Sequence, residues 1–224
     1  MRGSVIQHLI MKDWRLQRTA IILSLLGGAI ALAVLQLGGE TAIVLGSVWF
    51  FIALIILGCM LPVLSIVNER KKQNLAFLMS LPISPLQYTT AKLASSIAMF
   101  VVPWLVLMIG ALLLIIARGV LPHGTIPITL IITTLPFVGF CIITGTALVG
   151  ESEGWGIAAT VVCNSSYGLT WYFLMRLPAL TADLKGNVAV WNPTVMTILA
   201  IEFALIALSL GLSYYLQSRK RDFV

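Results

Sequence analysis

The chain reads as an all-α membrane protein, six transmembrane helices preceded by an amphipathic helix in the membrane interface. Three observations predict it. Apolar residues make up 59% of the 224 residues and charged residues 10%, against roughly 25% charged in a soluble domain. Six apolar runs, at about 19–38, 41–67, 93–117, 126–150, 155–177 and 194–217, each come near the ~20 residues that cross hydrocarbon as a helix. With six spans, eleven basic residues fall on one side (Arg2, Lys12, Arg15, Arg18, Arg70, Lys71, Lys72, Lys92, Arg219, Lys220, Arg221) and three on the other (Arg118, Arg176, Lys185). Basic residues are retained on the cytoplasmic side, so both termini are expected there. Adding or removing one span destroys the sorting. The net charge of +6 is thereby read as orientation, and no nucleic-acid partner is expected.

The elements follow in order. Residues 4–17 place Val5, Ile6, Leu9, Ile10, Trp14 and Leu16 beside a polar set of Gln7, Lys12, Asp13, Arg15 and Arg18. This pattern suits a helix in the plane of the interface, apolar side down; the competing reading is a polar start to the first span. Residues 1–18 are too polar for a cleavable signal peptide. In the first span Ser24 and Gly28, and Gly27 and Ala31, stand four apart, where small residues let helix backbones approach. Gly139, Thr144, Gly145 and Thr146 have the same role in the fourth. Pro62, Pro103 and Pro136 are expected to kink their helices. Trp14, Trp155 and Trp191, near run ends, read as interface anchors. The whole chain forms one membrane domain, with no room for a soluble domain beside the spans.

Between the second and third runs lies the basic stretch Asn68 to Pro85. Its charges at 69–72 end the preceding span. Leu75, Leu78 and Met79 then fall on one face of a short helix, and Pro82 stops it. Ser84 reads as an N-cap, Pro85 as the first helical residue and Gln87 as the capping-box partner of the third span. On these grounds alone it is a loop with a membrane-lying helix.

Glu69-Arg70, Leu78-Met79-Ser80-Leu81-Pro82-Ile83-Ser84 and Tyr88-Thr89-Thr90-Ala91-Lys92 resemble the loop between the second and third spans of type-2 ATP-binding cassette (ABC) exporter permeases. The opening Leu9-Ile10-Met11-Lys12-Asp13-Trp14-Arg15 is similar to the elbow helix that begins them. The resemblance implies a cytoplasmic coupling helix seated in a cleft of a separate ATP-binding subunit. Glu69, Arg70, Leu75, Leu78, Met79, Leu81, Pro82 and Ser84 are then the residues that meet it. It also implies two ATP-binding subunits, a second permease subunit (identical or homologous), and ATP and Mg bound by the partners rather than by this chain. The membrane is then a bacterial or archaeal cytoplasmic one. Relatives of this kind export haem-related compounds, drugs, peptides or lipids, and the sequence does not choose among these.

The residues themselves point to a non-catalytic chain. No G-x-x-x-x-G-K-[ST] phosphate loop occurs. His8 and His123 are isolated, and Cys59, Cys141 and Cys163 lie far apart without metal-ligand spacing, so they read as small buried hydrophobes. Glu202 is the exception inside the spans, eight residues into the sixth run, roughly 12 Å deep. An ionisable group there is costly and must face protein or a hydrated cavity. It is read either as a substrate-contact or gating residue, with Ser209 and Ser213 on the same face, or as a carboxyl that fixes helix packing. In the fifth run Thr160, Asn164, Tyr167 and Trp171 share a face that either lines a substrate path or glues helices together. Two rival functions remain, a proton-coupled secondary carrier using Glu202 and a non-transporting membrane scaffold.

Overall fold

The computed structural model describes residues 2–67, 85–150 and 152–219, all helices and short connections without a strand. The helices are α1 (Arg2–Leu35), α2 (Glu40–Pro62), α3 (Pro85–Arg118), α4 (Ile126–Val149), α5 (Glu153–Leu174), the single turn α6 (Pro178–Thr181) and α7 (Pro193–Arg219). A π-helical turn, Val63–Val67, continues α2 beyond Pro62. Five stretches are long and apolar enough to cross a membrane: Asp13–Leu35, Glu40–Pro62, Lys92–Arg118, His123–Val149 and Pro193–Arg219. These match five of the six expected spans. The run at 155–177 does form a helix, α5, but Thr160, Asn164, Ser165 and Ser166 leave it less apolar than the rest.

The separate interfacial helix expected over 4–17 is not found. α1 is one unbroken helix of 34 residues, about 50 Å long. The cause is its buried face. Asp13, Gln17, Ile21, Ser24, Gly28, Ala31 and Leu35 are all buried, at successive spacings of three and four, so a single stripe against protein begins before the apolar run does. No proline or glycine interrupts residues 4–26, and the helix has no reason to bend into the interface. Gly38 (φ 73°) and Gly39 (φ 82°) then turn the chain into α2, in a conformation that other residues rarely adopt.

Two groups of contacts fix how the helices run. Ile66 of the π turn, Leu93 of α3, and Ala147 and Leu148 of α4 form one buried cluster, with Leu210 of α7 against it. The end of α2, the start of α3 and the end of α4 therefore meet at one end of the bundle. Ile131, Leu174, Leu180 and Val195 form a cluster at the other end, joining α4, α5, α6 and the start of α7. There Asn192 caps α7 by accepting from the Val195 N–H at 2.9 Å, with Pro193 as first helical residue.

The small-residue pairs do bring helices close. A Cβ on Gly27 would sit 4.0 Å from that of Ala53 in α2, and one on Gly28 would overlap the Leu107 side chain of α3. In the middle of the bundle Phe100 stacks on Phe140 with ring centres 4.4 Å apart. Beside them the Trp104 indole N–H donates to the Thr133 carbonyl at 2.7 Å. α4 is the most enclosed of the five apolar helices, 61% of its apolar window being buried against at most 39% in the others.

Gly58 of α2 packs so near α4 that a Cβ would lie 3.0 Å from the Pro136 carbonyl oxygen. Gly58→Leu should therefore destabilise the protein by about 1–3 kcal/mol, the usual cost of overfilling a packed contact. Gly211→Leu, where no atom lies within 4 Å, should be neutral. Thermal unfolding in detergent distinguishes the two, and equal midpoints would contradict this packing.

Candidate functional site

Polar groups among the described residues collect in three places, each where different helices meet. The coupling residues expected from the sequence, Glu69, Arg70, Leu75, Leu78, Met79, Leu81, Pro82 and Ser84, all lie outside the described residues. Pro85, expected as the first helical residue, begins α3.

The first place is the contact of α5 with α2 and α4. Tyr167 is buried beside Cys59, Cys163 and Ile143, with Phe51 alongside. Its hydroxyl presses on Gly139 of α4, where any Cβ would overlap it, and has no hydrogen-bond partner among the described residues. Asn164 donates to the Thr160 carbonyl at 2.9 Å and to the Cys59 sulfur at 3.3 Å. The Phe51 ring stands edge-on to Tyr167 at 6.1 Å and lies 6.3 Å from Trp171. Asn164, Tyr167 and Trp171 are thus brought together as the sequence implied. Tyr167 is buried against the neighbouring helices, while Asn164 and Trp171 remain exposed. The sequence treats the three cysteines as far apart, whereas folding puts Cys59 and Cys163 in one cluster; spacing along the chain carries no signal of that.

The second place is the seam between α4 and α7. Val195, Glu202, Ile206, Ser213 and Gln217 are the buried residues of α7 and share one side of it. Glu202 is 5% exposed, and its Oε2 has no hydrogen-bond partner among the described residues. Farther along the same seam, Ser213 and Ser209 crowd Gly145 so tightly that no side chain fits there. A lateral cavity of about 490 Å³ opens at this level, between α4, Trp155 at the start of α5, and Leu208, Ser209, Leu212 and Leu216 of α7. Its wall is almost wholly apolar. Glu202 is not part of that wall, and it does not share an interface with Asn164, Tyr167 and Trp171. The four residues suggested for a substrate path therefore divide into two separate contacts.

The third place was not anticipated. Asp13 of α1 and Lys92 of α3 form an ion pair at 2.8 Å, their side chains 6% and 5% exposed. The sequence reading assigned Asp13 to a polar helix face and Lys92 to the flanking basic residues. The available signal was weak: Asp13 stands four residues before Gln17 and eight before Ile21, on the stripe that continues through α1. Burying two opposite charges is tolerable only when they are paired and hydrogen-bonded.

None of these places gathers three or more histidine, cysteine or acidic side chains able to hold a metal, among the described residues. Comparison with protein-family models, with curated proteins and with solved structures finds no match.

Glu202 yields a direct test of the α4–α7 seam. A buried carboxyl oxygen without a partner costs about 1–3 kcal/mol, so Glu202→Met, which keeps the bulk and removes the polar atoms, should raise thermal stability by an amount of that order. A lower unfolding midpoint for the Met variant would show that the carboxyl is held by a favourable contact.

Proposed function

We propose that this chain is the membrane-spanning permease subunit of a type-2 ABC exporter. In this reading α5 is a sixth span, and both termini and the basic stretch at 68–84 face the cytoplasm. Two ATP-binding subunits dock there, and a second permease subunit, identical or homologous, completes the membrane part. Hydrolysis occurs on the ATP-binding partners, which hold ATP and Mg. This chain supplies the path and the coupling segment, and performs no catalytic step.

One observation carries the reading. Ile66 and Leu93, which flank the basic stretch, pack together at the bundle end where α4 also finishes, and the Asp13–Lys92 pair ties the start of α1 to the same α3 end. The stretch whose residues resemble a coupling loop thus connects, in sequence, two apolar helices that pack together, the second of them tied to the part of α1 that resembles an elbow helix. A partner pushing on that stretch acts on α2 and α3 at once. The rival proton-coupled carrier draws support from buried Glu202, which the exporter reading does not require.

Topology and energy source are separately measurable. A single cysteine at position 72 should resist a membrane-impermeant thiol reagent added outside the cell, and one at 185 should react. Purification of the chain from its native membrane should bring down a protein with an ATP-binding cassette. Glu69→Ala should leave insertion and ATP hydrolysis intact while transport per ATP falls. Transport that follows the proton gradient and ignores ATP would replace this reading with the carrier.

A further inference from the structure

The Asp13–Lys92 pair joins two sequence stretches, Lys12-Asp13-Trp14-Arg15 and Ala91-Lys92, that lie 79 residues apart and meet only through folding. Lys92 Nζ donates to Asp13 Oδ2 at 2.8 Å. The Ser95 hydroxyl lies 3.5 Å from the same carboxylate oxygen and 3.0 Å from the Lys92 carbonyl. Asp13 in α1 and Lys92 in α3 are both buried, and each precedes the apolar run of its helix. The pair therefore sits where two helices enter the bundle, not on an outer face. One turn inward from each, Gln17 and Ser96 are also buried, with no hydrogen-bond partner for their side-chain atoms among the described residues.

Deeper in, the same two helices meet differently. Leu107 lies over Gly28, and Leu32 comes within 3.0 Å of a Cβ built on Gly110. Such apolar contacts have no preferred partner atom and allow small slides between helices. A buried charge pair does not: moving α3 by one helical step past α1 would separate two charges in a site with little water, at a cost the apolar contacts cannot offset. The register of α1 against α3 is thus fixed at this end of the bundle.

We propose that Asp13 and Lys92 act as a positioning clamp that makes the start of α1 and the start of α3 move as one body. Displacement imposed on the first turns of α3 is then delivered to α1 at the membrane boundary. The source of that displacement, an ATP-binding partner acting next to α3, rests on the exporter reading above; the clamp itself does not.

The test uses the full chain in lipid nanodiscs, alone and with its co-purified ATP-binding partner, carrying spin labels at Leu16→Cys and Ala94→Cys, both exposed positions. Without nucleotide, the unsubstituted pair should give one narrow distance distribution, and Asp13→Asn or Lys92→Met a broadened one. In the complex the narrow distribution should persist on adding ATP. The single variants should lose transport roughly fivefold or more, within the range of ordinary coupling energies, while ATP hydrolysis continues. The exchanged pair Asp13→Lys with Lys92→Asp should recover the narrow distribution, and it carries the test if the single variants fail to accumulate. Single variants as narrow as the unsubstituted protein, or an exchanged pair as broad as the single variants, would overturn the clamp. So would an unsubstituted pair whose distance shifts with ATP. A complex in which ATP alters neither distance nor transport in any variant would instead remove the exporter reading, while the nucleotide-free comparison would still decide the clamp.

Discussion

A helix bundle in hydrocarbon must satisfy its backbone and its polar side chains from within, because no solvent completes a missing bond. Several polar side chains in the helices obey this by bonding back to their own helix. Thr146 donates to Ile142, Thr160 to Gly156 and Ser213 to Ser209, each to a carbonyl one turn earlier. Trp104 of α3 instead reaches across to α4, donating to the Thr133 carbonyl. A π turn starts at the residue after Pro62. Among the described residues others are not served locally: Asp13 and Lys92 pair with each other, and Gln17, Ser96, Thr144, Tyr167, Glu202 and Gln217 each hold a buried polar atom with no hydrogen-bond partner there.

That constraint explains why the fold was more legible than the site. Apolar runs report burial in lipid or protein without distinguishing them, so the positions of α2, α3, α4 and α7 could be read to within a few residues. Small residues at Gly27, Gly28, Gly139 and Gly145 marked contacts because a missing side chain means the same thing whichever helix fills the space. α1 was misread because amphipathicity has two causes. A polar stripe beside an apolar one looks the same whether the apolar side faces lipid headgroups or, as here, a buried polar stripe faces another helix. α5 is harder to read, because Thr160, Asn164, Ser165 and Ser166 interrupt its apolar run. They are numerous enough to change its character.

The pairing of side chains across helices was the least visible property. Asp13 with Lys92, Tyr167 with Gly139 and Cys59 with Cys163 all join residues on different helices, and nothing in local spacing specifies the rotation of one helix against another. Glu202 shows the same limit from the other side. Depth was readable from its place in the run, yet whether it looked into a cavity or a seam depended on the turn of α7 relative to α4.

The enclosure of α4 has a consequence for how the protein is made. A membrane chain enters the bilayer in order from its N-terminus, so α4 arrives when only α1 to α3 are present to receive it. Its Gly139 and Gly145 surfaces, shaped around Tyr167 and Ser213, then stay uncovered until α5 and α7 have been synthesised. A nascent chain stalled between these points exposes close-packing notches to whatever helix is nearby. On ordered insertion of this kind α4 would be fully covered only once α7 is in place, so changes at Ser213 in α7 would bear on a helix that precedes it by many residues.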